Sequence, residues 1–278
     1  MHKLKSHVQD ALRSAGIYQR LKASPIYGLY WGIADRSILE RTNGEKRFYR
    51  NLLGRLHRDY LIFDVGANQG TKAEIFLRLG AHVIAVDPDP TNQEILKEKF
   101  LKYRLFPKRV TVVEKALSDA EARKTMWVDE PGSTMNTLSD KWADALRHDD
   151  ARFGNHLEFA HEVSVETTTL DRLIDLYGTP YFIKIDVEGH EVNVLRGLHS
   201  VVPFISFEVN LPEFAAEGLE CIDILEALAG HGRFNYATGV YEQGFALNHW
   251  TEAAEFAAIL GACTEKSIEV FWKAPTVG

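Results

Sequence analysis

The stretch Leu61-Ile62-Phe63-Asp64-Val65-Gly66-Ala67-Asn68-Gln69-Gly70 decides the fold that we expect of this 278-residue chain. A short apolar run ends in an acidic residue, enters a turn with two glycines and continues as an amphipathic helix from Thr71 to Leu79. A second apolar run, 82–86, follows and ends at Asp87. This strand–turn–helix–strand pattern, with a carboxylate about 20 residues after the turn, is typical of a site that holds an adenosine group.

The residue types of this unit suit close contact with a ligand. Gly66 and Gly70, on either side of Asn68, let the backbone approach where a Cβ atom would collide. Asp87 is placed to accept hydrogen bonds from both ribose hydroxyls. The alternative is an ordinary strand–helix turn that binds nothing. We predict that the following residues bind a cofactor: Asp64, Gly66, Asn68, Gly70 and Asp87.

The spacing of the glycines favours one adenosine cofactor over another. A nicotinamide site reads G-x-G-x-x-G, with a helix N-terminus facing the pyrophosphate. Here the pattern is D-x-G-x-x-x-G, the middle glycine is missing, and Asp64 at the strand end would repel a diphosphate. A carboxylate would suit the amino group of a methionyl tail beside a sulfonium. The sequence therefore predicts S-adenosylmethionine.

Composition limits the class of protein. The length allows one large α/β domain with an appendage, and 45% hydrophobic with 26% charged residues is ordinary for a soluble globular protein. Cys221 and Cys263 are far apart in sequence, which argues against a disulfide framework or a zinc cluster and favours a reducing compartment. The first residues lead into no apolar segment, so we expect a cytoplasmic protein.

The charge is distributed unevenly along the chain. Residues 1–58 hold 12 Lys and Arg against 4 Asp and Glu, whereas the remaining residues hold 20 against 35. The acidic part argues against nucleic-acid binding. We predict a basic helical extension over 1–58 and a catalytic domain over 59–278. The extension could pack on the domain, contact an anionic membrane surface, cover the site or mediate a homo-oligomer.

Strands alternate with helices after residue 59, which predicts parallel pairing with right-handed crossovers. We expect two N-terminal helices over 3–22 and 36–57. Strands near 124–128 and 161–168 look like an insertion at the ligand edge of the sheet. The last two strands, 233–238 and 267–273, are expected to pair with each other. The alternating part is expected to contain strands 60–65, 82–86 and 109–114 and helices 71–79 and 91–103.

A second dense cluster lies in the block 181–192. A buried strand ends at Asp186, and three more ionisable residues follow in one strand-to-helix loop: Glu188, His190 and Glu191. Phe204-Ile205-Ser206-Phe207-Glu208 is predicted to form the neighbouring strand. Ser118 and Asp119 follow the third strand, where they could meet the adenine ring or form an ordinary turn.

Four motifs of the chain resemble the FkbM family of S-adenosylmethionine-dependent methyltransferases. The most specific is Ile183-Lys184-Ile185-Asp186-Val187-Glu188-Gly189-His190-Glu191 with Leu195-Arg196-Gly197. The others are Asp64–Gly70, Ala85–Pro90 and Thr168–Leu173. The resemblance covers about residues 60–210 and none of 1–58.

The resemblance implies a class I methyltransferase fold. This is an α/β, Rossmann-like sheet of seven mostly parallel strands, the last antiparallel, with helices on both faces. It also implies methyl transfer to oxygen, typically to a hydroxyl of a sugar, a glycolipid or a natural product. The partner expected for this chain is thus a small-molecule or carbohydrate acceptor.

A hydroxyl acceptor must lose its proton, which requires a general base or a metal ion. His190 is the first choice as base because imidazole titrates near neutral pH. Asp186 and Glu208 could orient the acceptor, act as the base or share Mg²⁺. The alternatives are that Asp186 or Glu188 only caps the following helix and that His190 is a surface residue.

Two other functions compete with this one. Asp87-Pro88-Asp89 is a D-x-D triplet after an apolar strand, as metal-dependent glycosyltransferases use for a nucleotide sugar. The chain could also be a non-catalytic scaffold that keeps the fold and binds S-adenosylmethionine or nothing.

Overall fold

The computed structural model of the chain describes the following residues: 36–53, 60–105, 109–148, 157–159, 161–239 and 241–275. The helix predicted over 3–22 lies outside them. The helix predicted over 36–57 is present as α1 (Arg36–Leu53). None of the helices in the described ranges combines the length and the apolar character that crossing a membrane requires.

The alternation of strands and helices that the sequence predicts is present. One difference is the helix expected over 91–103, which forms two helices that are separated at the buried Phe100. In chain order the elements after α1 are β1 (Leu61–Val65), α2 (Thr71–Leu79), β2 (His82–Val86), α3 (Pro90–Lys99), α4 (Leu101–Leu105), β3 (Val110–Val113), β4 (Ala116–Leu117), β5 (Arg123–Val128), α5 (Asp140–His148), β6 (His161–Thr168), α6 (Leu170–Tyr177), β7 (Phe182–Ile185), α7 (Glu191–Arg196), β8 (Phe204–Asn210), α8 (Ala215–Ala229), β9 (Arg233–Ala237), α9 (Ala253–Gly261) and β10 (Ser267–Lys273).

Seven strands form the main sheet in the order β3-β2-β1-β7-β8-β10-β9. The strands from β3 to β8 are parallel, and β10 is antiparallel to both of its neighbours. This confirms the predicted sheet, including the pairing of the last two strands. The strand order reverses between β1 and β7, and in open α/β sheets ligands bind at the carboxyl ends of the strands beside such a reversal.

The predicted insertion is a small sheet of its own. Its order is β4-β6-β5, with β5 and β6 antiparallel. Because β4 follows β3 almost directly, this sheet lies next to the carboxyl edge of the main one. The loop between β5 and α5 is thereby placed over that edge.

Helices cover both faces of the main sheet, as predicted. On one face, Phe63, Ile183 and Phe207 form a core with α5 to α9. On the other face, Ile62 and Phe182 form a core with α1, α2 and α3. The helix α1 is thus part of the packed structure, although it belongs to the segment predicted as an extension.

Tyr49 anchors α1 to this second face. Its side chain is fully buried, and its ring makes edge contacts with Phe76 at 5.1 Å. Its hydroxyl donates to Glu269 of β10 at 3.1 Å, and Glu269 also accepts from Tyr241 at 2.5 Å and from Ser206 at 2.6 Å. A buried carboxylate with three hydroxyl donors is well satisfied.

We expect Tyr49→Ala to lower the free energy of unfolding by about 3–5 kcal/mol, because it removes a buried aromatic ring. Tyr49→Phe keeps the ring and should cost only about 1 kcal/mol, since Glu269 retains two other donors. Arg50→Ala, at an exposed position on the same helix, is the control and should stay within about 0.5 kcal/mol. Urea denaturation followed by circular dichroism measures all three, and equal stabilities would show that α1 is not part of the core.

Candidate active site

A cavity lies at the carboxyl ends of β1, β2 and β7, where the strand order reverses. Its walls come from the glycine turn, the Asp87–Asn92 segment, the β4–β5 region, the loop before α5 and the loop after β7. Its lining residues include Gly66, Asn68, Asp87, Asn92, Asp186, Glu188 and His190. The fold therefore brings together two clusters that the sequence predicts: the glycine turn with Asp87, and the ionisable loop after β7.

The turn after β1 is held tightly against β2 and β7. Gly66 has a φ of +77°, and a Cβ atom there would lie 1.8 Å from the backbone oxygen of Asp186. The backbone N–H groups of Gly66 and Ala67 both donate to the carbonyl of Val86, at 3.0 and 2.9 Å. Only glycine allows this approach, so Gly66 fixes the distance between the two sides of the cavity.

Asp87 is buried in the cavity wall and has three protein donors. Its Oδ1 accepts from the Asp89 N–H at 2.9 Å and from Asn92 Nδ2 at 3.2 Å, and its Oδ2 accepts from the Asn68 N–H at 2.7 Å. Burial raises the pKa of Asp87 to about 7. A carboxylate has about four acceptor positions, so roughly one is left for a ligand, rather than the two that the sequence prediction requires.

Asn92 lies beside Asp87 in the cavity wall and has an unpaired acceptor. Its side chain is buried in the cavity wall, and its Oδ1 has no hydrogen-bond partner among the described residues. Because Nδ2 donates to Asp87, the orientation of the amide is set by this bond. An unpaired buried amide oxygen is costly unless a ligand or water satisfies it, and the sequence prediction missed this residue.

Asp64 and Gly70 do not line the cavity, in contrast to their predicted contact with the cofactor. The Asp64 side chain lies on the sheet face that α2 covers, beside its strand neighbour Lys184, and burial raises the pKa of Asp64 to about 6. Gly70 precedes α2 in a left-handed conformation, and a Cβ atom there would meet Phe100 at 2.5 Å. Both residues therefore lie next to the turn but away from the cavity.

Ser118 and Asp119 are also not among the lining residues, although Leu117 is. The Ser118 hydroxyl donates to Asp119 at 2.8 Å, accepts from Lys124 at 2.8 Å, and lies 3.1 Å from His190 Nε2. Because its one hydrogen points to Asp119, His190 Nε2 must be the donor in their contact. Ser118 and Asp119 therefore belong to a network that orients His190, and their contact with the adenine ring stays a prediction.

His190 lines the cavity, but its chemistry differs from the prediction. Burial lowers the pKa of His190 to about 4, and the nearby Lys124 ammonium contributes. The imidazole is therefore neutral at physiological pH, with Nδ1 as its free acceptor. An imidazole with so low a pKa is a weak base.

Three carboxyl groups meet at the ends of β7 and β8. Asp186, Glu188 and Glu208 each offer an oxygen within 4.8 Å of the others. Burial, with repulsion from Asp186, raises the pKa of Glu208 to about 8. Burial also raises the pKa of Glu188 well above its usual range, with repulsion from Glu208 and Asp186 as the next causes. Such a group of oxygens could hold a divalent cation such as Mg²⁺.

Lys184 supplies a positive charge to this group. Its side chain is 4% exposed, and its Nζ donates to Asp186 Oδ2 at 2.7 Å. Burial opposes both charges, but the ion pair outweighs it, so the pKa of Lys184 is raised and that of Asp186 is lowered. A lysine inside the apolar strand Phe182–Ile185 was the sequence signal for this role, and the sequence prediction did not use it.

Asp89 holds the loop before α5 over the cavity. Its Oδ1 accepts from the Thr91 N–H at 2.7 Å and begins α3, while its Oδ2 accepts from the Gly132 N–H and from Asn136 Nδ2, both at 2.8 Å. Both oxygens of Asp89 are therefore used inside the protein. This argues against Asp87-Pro88-Asp89 as a metal-binding triplet for a nucleotide sugar.

We expect Gly66→Ala to lower the free energy of unfolding by about 2–5 kcal/mol, because it adds a clash to the strain of a left-handed backbone. Gly244→Ala is a matched control, since Gly244 has the same φ of +77° with nothing within 4 Å of its Cβ position. It should cost only about 1–2 kcal/mol. Thermal and urea denaturation give both values, and equal losses would contradict the close approach to Asp186.

The chain matches known proteins over most of this region. The family model of the methyltransferase FkbM domain matches residues 64–236. The hexuronic acid methyltransferase AglP of Haloferax volcanii is 27% identical over 182 residues, which are 64% of this chain and 64% of that protein. The crystal structure of the methyltransferase FkbM from Methylobacillus flagellatus KT superposes with a TM-score of 0.50 and 15% identity, over 81% of this chain and 46% of that one. With the family model covering more than half of its length, the chain belongs to the FkbM methyltransferase family.

Proposed function

We propose that the protein is a methyltransferase that uses S-adenosylmethionine and transfers the methyl group to a hydroxyl of a carbohydrate-type acceptor. The observation that carries the proposal is the cavity at the sheet reversal, which has unsatisfied acceptors on one side and the carboxyl groups of Asp186 and Glu188 on the other. The family of the chain supports the reaction. The sugar-acid relative supports a carbohydrate as acceptor, and glycolipids or hydroxylated natural products fit the same chemistry.

The residues of the first side fit the adenosine part of this cofactor. The ribose of S-adenosylmethionine carries two neighbouring hydroxyls, which need two acceptors. The free position is on Asp87 Oδ2, and the unpaired Oδ1 belongs to Asn92, which is hydrogen-bonded to Asp87 Oδ1; each could accept one hydrogen bond. The methionyl part would lie along the Gly66 turn, which lines the same cavity. The cofactor itself supplies a methyl group on a positively charged sulfur.

The residues of the second side fit the activation of a hydroxyl. We assign the general base to Glu188, because it lines the cavity and its raised pKa makes it, once ionised, a stronger base than an ordinary glutamate. Asp186 and Glu208 raise that pKa, and Asp186 could also orient the acceptor. His190 as the base and Mg²⁺ at Asp186 and Glu208 stay predictions that compete with this assignment.

Residues 1–35 keep their predicted roles as alternatives. Packing on the domain, contact with a membrane surface, covering of the site and a homo-oligomer contact all stay predictions for the extension over 1–58, of which residues 1–35 and 54–58 lie outside the described part of the chain.

We expect S-adenosylhomocysteine to bind and to raise the melting temperature, whereas NAD or a nucleotide sugar with Mn²⁺ should not. Its Kd should rise as the pH falls below about 7, by up to about tenfold per pH unit, because the protonated Asp87 loses acceptor strength. Asp89 is the acidic residue next to Asp87, and both of its oxygens accept hydrogen bonds from other groups. Isothermal titration calorimetry between pH 6 and 8 measures the effect.

The matched variants for this titration are Asp87→Asn and Asn92→Ala. Asp87→Asn should weaken binding roughly 10- to 100-fold and remove the pH dependence. Asn92→Ala should weaken binding by roughly fivefold and keep the pH dependence. Unchanged affinity in both variants would show that the ribose lies elsewhere.

We expect Glu188→Gln to lower kcat by about 10²- to 10⁴-fold with the Kd of S-adenosylhomocysteine unchanged, because only the proton acceptor is lost. His190→Ala should lower kcat by much less. The assay measures release of S-adenosylhomocysteine with a panel of neutral glycosides, uronic acids and glycolipids.

Three results would contradict parts of this assignment. A severe loss in His190→Ala with an active Glu188→Gln would make His190 the base. Loss of activity on EDTA treatment, restored by Mg²⁺, would show that the carboxyl cluster of Asp186, Glu188 and Glu208 holds a metal ion. Cofactor binding without turnover on any acceptor would favour the non-catalytic scaffold.

A further inference from the structure

Two residues hold Glu188 in place: Thr137 from the loop before α5 and Trp142 from α5. The Thr137 hydroxyl donates to the backbone oxygen of Glu188 at 2.7 Å, and the indole N–H of Trp142 donates to Glu188 Oε2 at 3.0 Å. Thr137 is 1% exposed and Trp142 is fully buried. One contact therefore fixes the backbone and the other fixes the carboxylate.

The backbone at Glu188 needs such support. Its φ is +55°, a left-handed conformation that is uncommon for residues other than glycine. The next residue, Gly189, also has a positive φ, and the ring of Phe214 packs against it. Phe214 in turn makes an edge contact with Trp142, with ring centroids 5.5 Å apart. Conformations of this kind persist where the surroundings determine them, and they are common at functional sites.

Thr137 is itself fixed on the small sheet. Its backbone exchanges two hydrogen bonds with Trp127 of β5, at 2.7 and 3.0 Å, and its Oγ1 accepts from the Ser139 N–H at 2.9 Å. Five residues earlier, the same loop is tied to Asp89 through the Gly132 N–H. The loop thus runs from the Asp87–Asn92 wall of the cavity to Glu188.

We propose that Thr137 and Trp142 are positioning residues that hold the Glu188 carboxylate in its reactive orientation at the cavity. The inference rests on the proposed function of Glu188 as the base. It goes further because it assigns the region of the inserted small sheet a role in orienting the base. Both contacts come from residues that follow β5.

The test compares Thr137→Val with Thr137→Ser. Valine has nearly the shape of threonine but lacks the hydroxyl, whereas serine keeps it. Thr137→Val should lower kcat roughly 10- to 100-fold, with the acceptor KM and the Kd of S-adenosylhomocysteine within about twofold. Thr137→Ser should keep kcat within about threefold of the wild-type value. Equal losses in both variants, or no loss in Thr137→Val, would overturn the role of Thr137.

Trp142→Phe tests the second contact, because phenylalanine keeps an aromatic ring and removes the N–H donor. Its kcat should fall roughly 10- to 100-fold in the wild-type background and hardly at all in the Glu188→Gln background. A merely structural role would instead lower kcat by the same factor in both backgrounds. That result would overturn the role of Trp142.

Amide hydrogen exchange over residues 187–191 separates this inference from the proposed function, because it requires no turnover. Exchange should be faster in Thr137→Val than in the wild type and unchanged in Thr137→Ser. If the wild type methylates nothing in the panel but the exchange pattern holds, the proposed function fails while the positioning contact stands. Unchanged exchange in Thr137→Val would overturn the inference even in an active enzyme.

Discussion

The ion pair between Lys184 and Asp186 is the interaction on which the active site depends. The strand ends β1, β7, β8 and β10 bring Asp64, Glu269 and the three clustered carboxyl groups close to one another. Such a concentration of buried acids is unfavourable unless a cation is present. Lys184 provides that cation from the middle of the sheet. Removing its charge would leave several buried carboxylates facing each other, with Lys72 as the other cation that acts on Asp186.

The second constraint is steric and joins the two halves of the site. The Gly66 turn touches the backbone oxygen of Asp186, so β1 and β7 cannot move apart or together without losing the cavity between them. The same turn donates both of its N–H groups to β2. Through these contacts, and through the Asn68 N–H that donates to Asp87, the cavity wall at Asp87 and the carboxyl group of Asp186 are fixed relative to each other.

The sequence predicted the fold well because local patterns carried it. The run Leu61–Gly70 with Asp87 identifies the strand–turn–helix–strand unit. Asp186 follows β7 as predicted, and Glu208 lies on the neighbouring strand β8, which continues to Asn210. The direction of the Asp64 side chain was not predictable in this way. Strand residues alternate between faces, but both faces of this sheet are covered by helices, so apolar alternation does not tell which face meets the ligand.

The long-range contacts of the site were beyond sequence reasoning for a different reason. The unpaired oxygen of Asn92 can be recognised only in the structure, because it depends on the hydrogen bond from the Asn92 amide nitrogen to Asp87. Trp142 and Thr137 lie about fifty residues from Glu188 in the chain, and nothing in their local pattern indicates a partner. Likewise, the contact of Tyr49 with Glu269 spans 220 residues. These contacts depend on how the inserted small sheet and α1 pack on the main sheet.

The charges of the site also suggest how a cofactor would affect its chemistry. Burial and repulsion favour the protonated forms of Glu188 and Glu208, while the ion pair with Lys184 favours the ionised form of Asp186. A nearby positive charge favours the ionised form of a carboxyl group. Under the proposed function, a sulfonium cofactor bound in the same cavity would therefore favour the ionised form of Glu188, which is the form that can accept a proton.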